Sequence, residues 1–328
     1  MLPEKNENNF SEISSSHLSE KNYEQPLIVN TFGLSTTVFA VIILLVVFIS
    51  YQLLGALFST LLFGVEFSEK PLQLRLGTMF AQLLLLLVPT LYIAHFETHD
   101  MKSFLRLKPP KISQIILAVI GVFSLGQALQ VIILLQEKIP IPSSVQTVLD
   151  EIEKIMEQAF GVLVNAQSIP ELLFVIFVVA VFPALCEELL FRGLVQRNFE
   201  HSFSTTRGFI ITGILFGAYH LNPFLIIPLS ALGIYFGFLV ARSGSIWVAI
   251  SAHFVNNALA AIATYLHIGD DFVVTENPQQ LSGIELFSTF ALGCCVFFIT
   301  TFYFLKTVEI SEPVKEHIPS LSTTEYYE

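Results

Sequence analysis

Two adjacent carboxylates and one guanidinium lie inside an apolar run of this sequence. The run reads Phe-Pro-Ala-Leu-Cys-Glu-Glu-Leu-Leu-Phe-Arg, and its charged residues are Glu187, Glu188 and Arg192. A charged side chain at membrane depth costs about 2.5–3.5 kcal/mol on insertion scales, so such residues persist mainly where they face a bundle interior and have a function. The run therefore indicates a functional site.

Two later apolar runs supply imidazoles and an amide that can join these charges. His220 ends one run, and His253 and Asn257 lie in another. A helix rises about 1.5 Å per residue, which places Glu187, His220 and His253 roughly 12–20 Å from the positively charged ends of their helices. We therefore expect the three side chains to share one layer of the bundle.

Helical spacing assigns different roles to the two glutamates. Successive helical residues are about 100° apart, so Glu187 and Glu188 cannot point the same way, whereas Glu188 and Arg192 lie on one face. This predicts that Glu188 neutralises Arg192 and that Glu187 is left for chemistry. The same spacing puts His253 and Asn257 on one face, and favours Asn257 over its neighbour Asn256.

A proline precedes the glutamates by one turn. Pro183 has no N–H, so the carbonyl of Val179 loses its helical hydrogen bond and a kink is expected there. Such a kink would help to admit water to Glu187.

The residue types suit hydrolysis. A glutamate beside a histidine can take a proton from water and return it to a leaving amine, and each such group contributes about 10²- to 10⁴-fold. Donors from His253 and Asn257 can stabilise an oxyanion. Alternatively, Glu187, His220 and His253 can ligate zinc, whose bound water ionises near neutral pH. The sequence leaves both mechanisms open.

Composition predicts the fold class. Hydrophobic residues make up 53% of the 328 residues and charged residues 13%, against about 25% charged in soluble domains. Runs of about 20 apolar residues span a membrane. We predict an all-α, polytopic membrane bundle of about eight transmembrane helices. The runs are Leu34–Leu57, Leu74–Ala94, Ile112–Leu134, Ile169–Phe191, Gly208–Tyr219, Phe224–Val240, Ile246–Leu266 and Ile284–Leu305.

The connections predict the orientation of the chain. With the N-terminus inside, twelve lysines and arginines fall on the inner side and four on the outer side, which favours cytoplasmic termini. Residues 1–33 read as a disordered tail, 34–306 as a single transmembrane domain and 307–328 as a second tail.

The net charge of −11 comes from acidic tails and loops, so no nucleic-acid partner is implied. Glutamines within the spans, such as Gln82, are assigned to contacts between helices.

Three motifs together resemble those of a known family. Glu-Glu-x-x-x-Arg, Phe-x-x-x-His and His-x-x-x-Asn follow one another on successive hydrophobic segments. In this they resemble the CPBP family of intramembrane proteases, which includes type II CAAX prenyl endopeptidases and bacteriocin-processing or immunity proteins. The resemblance covers a motif core of residues 169–266.

The resemblance implies a set of catalytic roles. Glu187 and His220 would activate water, Glu188 and Arg192 would support them, and His253 with Asn257 would form the oxyanion site. It leaves the cofactor open, because both a metal-dependent and a glutamate-dependent mechanism are ascribed to the family.

The expected protein is an endopeptidase that cuts a membrane-associated peptide or protein within the lipid bilayer. We expect it to be an integral multi-pass protein of a bacterial cell membrane. Two other functions stay open at this point. One is a catalytically silent scaffold or immunity protein, and the other is a proton-coupled transporter, which the lack of an internal repeat disfavours. The substrate, any prenyl group on it, the physiological process and the oligomeric state do not follow from the sequence.

Overall fold

The computed structural model describes residues 33–55, 57, 60, 70–136, 138–140, 142–267 and 282–308. Regular secondary structure in these residues is helical throughout. The helices are α1 (Thr36–Leu54), α2 (Pro71–Glu97), α3 (Met101–Phe104), α4 (Ile112–Gln136), α5 (Ser143–Val164), α6 (Ile169–Ser202), α7 (Thr205–Tyr219), α8 (Ile226–Ser243), α9 (Ile246–Tyr265) and α10 (Gly283–Thr307).

The all-α membrane bundle predicted from composition is confirmed. In the described part of the chain, seven helices are long and apolar enough to cross a membrane, namely α1, α2, α4, α6, α8, α9 and α10. The fifth of the eight expected spans, Gly208–Tyr219, forms helix α7, which has only 15 residues and is not among the seven. Its length of about 22 Å is shorter than the roughly 30 Å of a hydrocarbon core. The protein is thus an integral multi-pass membrane protein.

Two expectations reach outside the described residues. The proposed tails at 1–33 and 307–328 lie almost wholly beyond the described part of the chain. The cytoplasmic placement of the termini stays a prediction.

Helix α6 is the long central element, and it is interrupted twice. It runs for 34 residues, to Ser202, so it agrees with the longer of two expected ends, Phe199, rather than with Phe191. Two π-helical segments, Phe177–Val181 and Leu189–Val195, flank a short α-helical stretch that carries both glutamates. Single π turns inside helices are frequent at functional sites. The first of them occupies the turn in which Pro183 was expected to distort the helix.

Glycines allow α7 and α8 to approach each other closely. A Cβ added to Gly233 of α8 would lie 2.7 Å from the carbonyl oxygen and 3.0 Å from the Cα of Gly213 in α7. Gly217 likewise lies against the backbone of α8, at Ile226 and Ser230. This close approach holds His220, at the end of α7, beside the helices that carry the other site residues.

A single methyl group at Gly233 should therefore disturb the bundle. We expect Gly233→Ala to lower the thermal unfolding midpoint of the protein in detergent, because overpacking a tight contact costs about 1–3 kcal/mol. Gly126→Ala in α4 is the matched control, since a Cβ there has no neighbour within 4 Å. Equal midpoints for the two variants would contradict this account of the α7–α8 contact.

Candidate active site

The pair predicted between Glu188 and Arg192 is present and fully buried. The Arg192 Nη1 donates to Glu188 Oε1 over 3.0 Å, and both side chains are 0% exposed. The other terminal nitrogen, Nη2, donates to the carbonyl oxygen of Gly233 over 2.8 Å. Two charges removed from water need such partners, because an unpaired buried charge is strongly destabilising. The pair thus ties α6 to α8.

Glu188 also fixes the imidazole of His253. The distance from His253 Nδ1 to Glu188 Oε1 is 2.8 Å, and His253 is 3% exposed. A carboxylate oxygen accepts, so the geometry assigns a proton to Nδ1 and turns Nε2 toward the remaining glutamate. One carboxylate oxygen therefore serves both Arg192 and His253.

His220 is held by its own helix. Its Nδ1 lies 2.8 Å from the carbonyl oxygen of Phe216, one turn earlier in α7. The carbonyl accepts, so Nδ1 carries the proton and Nε2 is left with a lone pair. His220 is the C-cap that follows the last residue of α7, and Leu221 comes next with a left-handed φ of 52°. The C-cap position of His220 thus places its ring within hydrogen-bond distance of the Phe216 carbonyl, and this bond fixes the orientation of the ring.

Glu187 lies between the two imidazoles without a hydrogen bond to either. Its Oε2 is 3.8 Å from His220 Nε2 and 4.0 Å from His253 Nε2. That oxygen is buried and has no hydrogen-bond partner among the described residues. Both separations exceed a direct hydrogen bond, and a water can bridge groups at such distances. The acid and the two imidazoles, from α6, α7 and α9, thus surround one point.

The ring of Phe216 packs against three site side chains, those of Arg192, His220 and His253. The ring of Phe216 lies 4.6 Å from Arg192 Cζ, and its centroid is 4.8 Å from that of His220 and 5.8 Å from that of His253. Phe236 of α8 stacks on His253, with centroids 5.2 Å apart. Cation–π contact adds to the stabilisation of a desolvated guanidinium. The phenylalanine of the Phe-x-x-x-His pattern therefore has a structural role at the centre of the site.

Asn257 binds the carbonyl that Pro183 leaves free. Its Nδ2 donates to Val179 O over 3.1 Å, so this oxygen has an inter-helical partner. Asn256 in turn donates from Nδ2 to Asn257 Oδ1 over 3.2 Å. Of the two asparagines, Asn257 is thus the one anchored on α6. Its amide nitrogen has a second N–H beyond the one used by Val179.

The alternative of a zinc site can be tested on these donors. Two imidazole Nε2 atoms and a carboxylate are suitable zinc ligands, and both Nδ1 atoms have hydrogen-bond partners of the kind that orient metal-bound histidines. Within the described ranges, however, no group of three or more His, Cys, Asp or Glu residues is arranged to hold a metal ion. The donor types fit zinc, and ligation of a metal by these residues stays a prediction.

The structure brings the six predicted residues together, and the sequence did not predict their partners on α8. Helical spacing predicted the Glu188–Arg192 contact and the common layer of Glu187, His220 and His253. It did not predict the bond from Arg192 to Gly233 O or the stacking of Phe236 on His253. Those partners come from a helix whose rotation no spacing rule fixes.

One stretch of the chain matches a known protein family. Residues 169–259 match the family described as type II CAAX prenyl endopeptidase Rce1-like. The match is consistent with the CPBP family and confirms the resemblance seen in the motifs. It covers less than a third of the chain and contains all six candidate site residues. No curated protein and no solved structure matches the chain.

The two neighbouring glutamates should differ in their effect on stability. Glu188→Gln removes the negative charge that is hydrogen-bonded to the buried Arg192, and we expect a loss of about 3–5 kcal/mol in unfolding free energy. Glu187→Gln is the matched control, because its Oε2 has no hydrogen bond to lose. Thermal unfolding in detergent measures both. A midpoint for Glu188→Gln equal to that of Glu187→Gln would refute the assigned roles.

Proposed function

We propose that this protein is an intramembrane endopeptidase in which Glu187 and His220 activate the attacking water. One observation carries the proposal. The buried Oε2 of Glu187, which has no hydrogen-bond partner, lies 3.8 Å from His220 Nε2, the ring nitrogen that carries no hydrogen. Two acceptors at this separation can each accept one hydrogen of the same water. A water bound in this way has an oxygen lone pair free for attack.

The first step is addition of water to the scissile carbonyl. The water oxygen forms a bond to the carbonyl carbon while Glu187 takes one proton, and His220 Nε2 holds the other hydrogen in place. The carbonyl π electrons move to oxygen and give a tetrahedral oxyanion. In the second step the C–N bond breaks, and Glu187 returns its proton to the leaving amine. Each proton transfer uses a residue of this chain, and general acid–base help of this kind contributes about 10²- to 10⁴-fold.

His253 and Asn257 are proposed to stabilise the oxyanion. Asn257 has one N–H beyond that bound to Val179, and its position is fixed before substrate arrives. When His253 carries protons on both nitrogens, its Nε2–H is a second donor. Donors fixed in advance in a water-poor site avoid reorganisation as charge develops, and one such donor contributes about 10²- to 10³-fold.

Glu188 and Arg192 are proposed to act as positioning residues. Glu188 holds the His253 ring at 2.8 Å, and Arg192 holds Glu188 at 3.0 Å. Neither group has an exposed atom from which to reach substrate, since both are 0% exposed. Their effect on catalysis would pass through the orientation of His253.

The proposed substrate is a membrane-associated peptide. The matched family is named for CAAX prenyl endopeptidases, so a farnesylated peptide that ends in Cys-aliphatic-aliphatic-X is the first to test. The same peptide without its farnesyl group and an unrelated membrane-spanning peptide complete the set. A silent scaffold or a transporter would cleave none of the three.

Substitution of the site residues tests the mechanism. In liposomes, we expect Glu187→Gln and His220→Ala to lower kcat for a cleaved peptide by about 10²- to 10⁴-fold. Asn257→Ala should lower it by about 10²- to 10³-fold. His95→Ala, an exposed histidine of α2, should leave kcat unchanged. Full activity of Glu187→Gln, or no cleavage of any peptide by the unsubstituted chain, would disprove the proposal.

Metal removal tests the choice of mechanism. We expect protein that has been treated with a chelator, and shown by elemental analysis to be free of zinc, to keep its peptidase activity. The physical reason is that Glu187 and His220 themselves accept the protons of the water. Activity that disappears with the metal and returns with stoichiometric zinc would instead support ligation by Glu187, His220 and His253.

A further inference from the structure

The apolar side chains of helix α5 are not packed against the bundle. All 22 residues of α5 are described, and only the last, Val164, is buried. Apolar residues recur along α5 at spacings of three and four, which places them on one face of the helix. They are Val145, Val148, Ile152, Ile155 and Ala159. The four larger ones are between 37% and 65% exposed. Helix α5 therefore has an apolar face that the described part of the chain leaves uncovered.

The opposite face of α5 is polar and mostly acidic. Asp150, Lys154 and Glu157 follow one another at spacings of four and three, on the side away from the apolar face, and all three are exposed. With Glu151 and Glu153, the helix carries four acidic residues and one lysine. A helix divided in this way into an apolar and a charged face is typical of a membrane–water interface.

A buried arginine fixes the C-terminal end of α5 where two spans begin. Arg75 lies near the start of α2 and is 2% exposed. Its Nε donates to Leu163 O over 2.9 Å, and its Nη2 donates to Asn165 O. These carbonyls lie at the helix end, where partners within the helix are lacking. Nη1 donates to Glu171 Oε1, near the start of α6, over 2.6 Å. The end of α5 is thus held at one end of the membrane-spanning bundle.

The N-terminal end of α5 is held close to the same membrane face. The chain crosses the membrane with α2 and returns with α4, so Pro71 and Gln136 lie at the same face. A turn continues past Gln136, where Ile139 N donates to Gln136 O over 3.0 Å. Ser143 follows four residues later, at most about 14 Å away. Helix α5 is about 33 Å long. It therefore cannot stand away from the membrane by its full length and must lie along it.

The residues that hold α5 adjoin the lipid-facing surface of the spans. Ile169 and Leu173 are on either side of Glu171 in the chain, and they are 64% and 63% exposed. Leu72, one turn before Arg75, is 53% exposed. Exposed apolar side chains on a membrane-spanning helix face lipid. The contact that anchors α5 thus lies at the level where the lipid-facing surface begins.

We propose that the apolar face of α5 binds the surface of the bilayer that the spans cross, with its acidic face toward water. An interfacial helix buries its apolar face about 5–10 Å into the boundary between headgroups and acyl chains. Because the charges of α5 are mostly negative, contact with apolar lipid and not attraction to anionic headgroups holds it there. Uncharged lipid is therefore sufficient. This interaction does not depend on the peptidase activity proposed above.

A single tryptophan placed on α5 tests this contact. Trp247 is the one tryptophan of the sequence, so Trp247→Phe provides a background without any. Ile155→Trp then reports on the apolar face, and Glu157→Trp, on the opposite side, is the matched control. Each variant is reconstituted in phosphatidylcholine liposomes, with or without bromine near the top of the acyl chains. We expect brominated lipid to lower the fluorescence of Ile155→Trp about twofold or more, because that face is buried in the boundary. The fluorescence of Glu157→Trp should change little, and acrylamide in the water should quench it instead.

A second pair tests the other half of the helix. Val148→Trp should be quenched by brominated lipid, and Asp150→Trp by acrylamide. All four parent residues are exposed, so the thermal midpoints in detergent should equal that of Trp247→Phe. Quenching of Ile155→Trp and Val148→Trp by acrylamide alone would overturn the proposal, because the helix would then lie in water. Protection of both from either quencher would also overturn it and would indicate a protein partner, such as a second copy of the chain. The measurement needs no substrate, so its result is independent of the proposed function.

Discussion

The arrangement of the site depends on a charge pair that has been removed from water. Glu188 and Arg192 are both fully buried, and such charges are tolerated only when each has its counter-charge and further hydrogen-bond partners. The Arg192 guanidinium reaches a carbonyl of α8, and the Glu188 carboxylate reaches an imidazole of α9. The need to satisfy one ion pair therefore fixes the position of three helices relative to one another. A rotation of any of them would leave a charge without its partner.

Main-chain carbonyls provide the remaining fixed points. Arg192, His220 and Asn257 each donate to a carbonyl oxygen, and these oxygens belong to Gly233, Phe216 and Val179. Backbone atoms in helices move less than side chains, so groups bonded to them are held before any ligand binds. The carbonyl of Val179 is available because Pro183 has no N–H to offer it. Local disruption of α6 thus supplies an anchor for the amide on α9.

Much of this could be predicted from the sequence, and the limit has a physical cause. The all-helical bundle, the Glu188–Arg192 contact and the common depth of Glu187, His220 and His253 follow from composition, from i,i+4 spacing and from helical rise. All of these are properties of single helices. The rotation of one helix relative to another is a property of two helices, because it depends on how their surfaces pack. For that reason Gly233 as an acceptor and Phe236 on His253 appear only in three dimensions.

Glu187 and Glu188 are adjacent in the chain, and this adjacency gives them different positions in the site. Neighbouring helical positions point about 100° apart, so one carboxylate can face the buried guanidinium only if the other faces away from it. Glu188 Oε1 accepts from both Arg192 and His253, so the charge of this carboxylate is neutralised by Arg192. Oε2 of Glu188 and Oε2 of Glu187 both lack a hydrogen-bond partner among the described residues, but only the Glu187 oxygen lies between the two imidazoles. An acid whose oxygen is already paired in the folded protein would have to give up that bond before it could accept a proton from water. The structural carboxylate therefore keeps its neighbour free, and the pair Glu-Glu is more useful at this position than either glutamate alone.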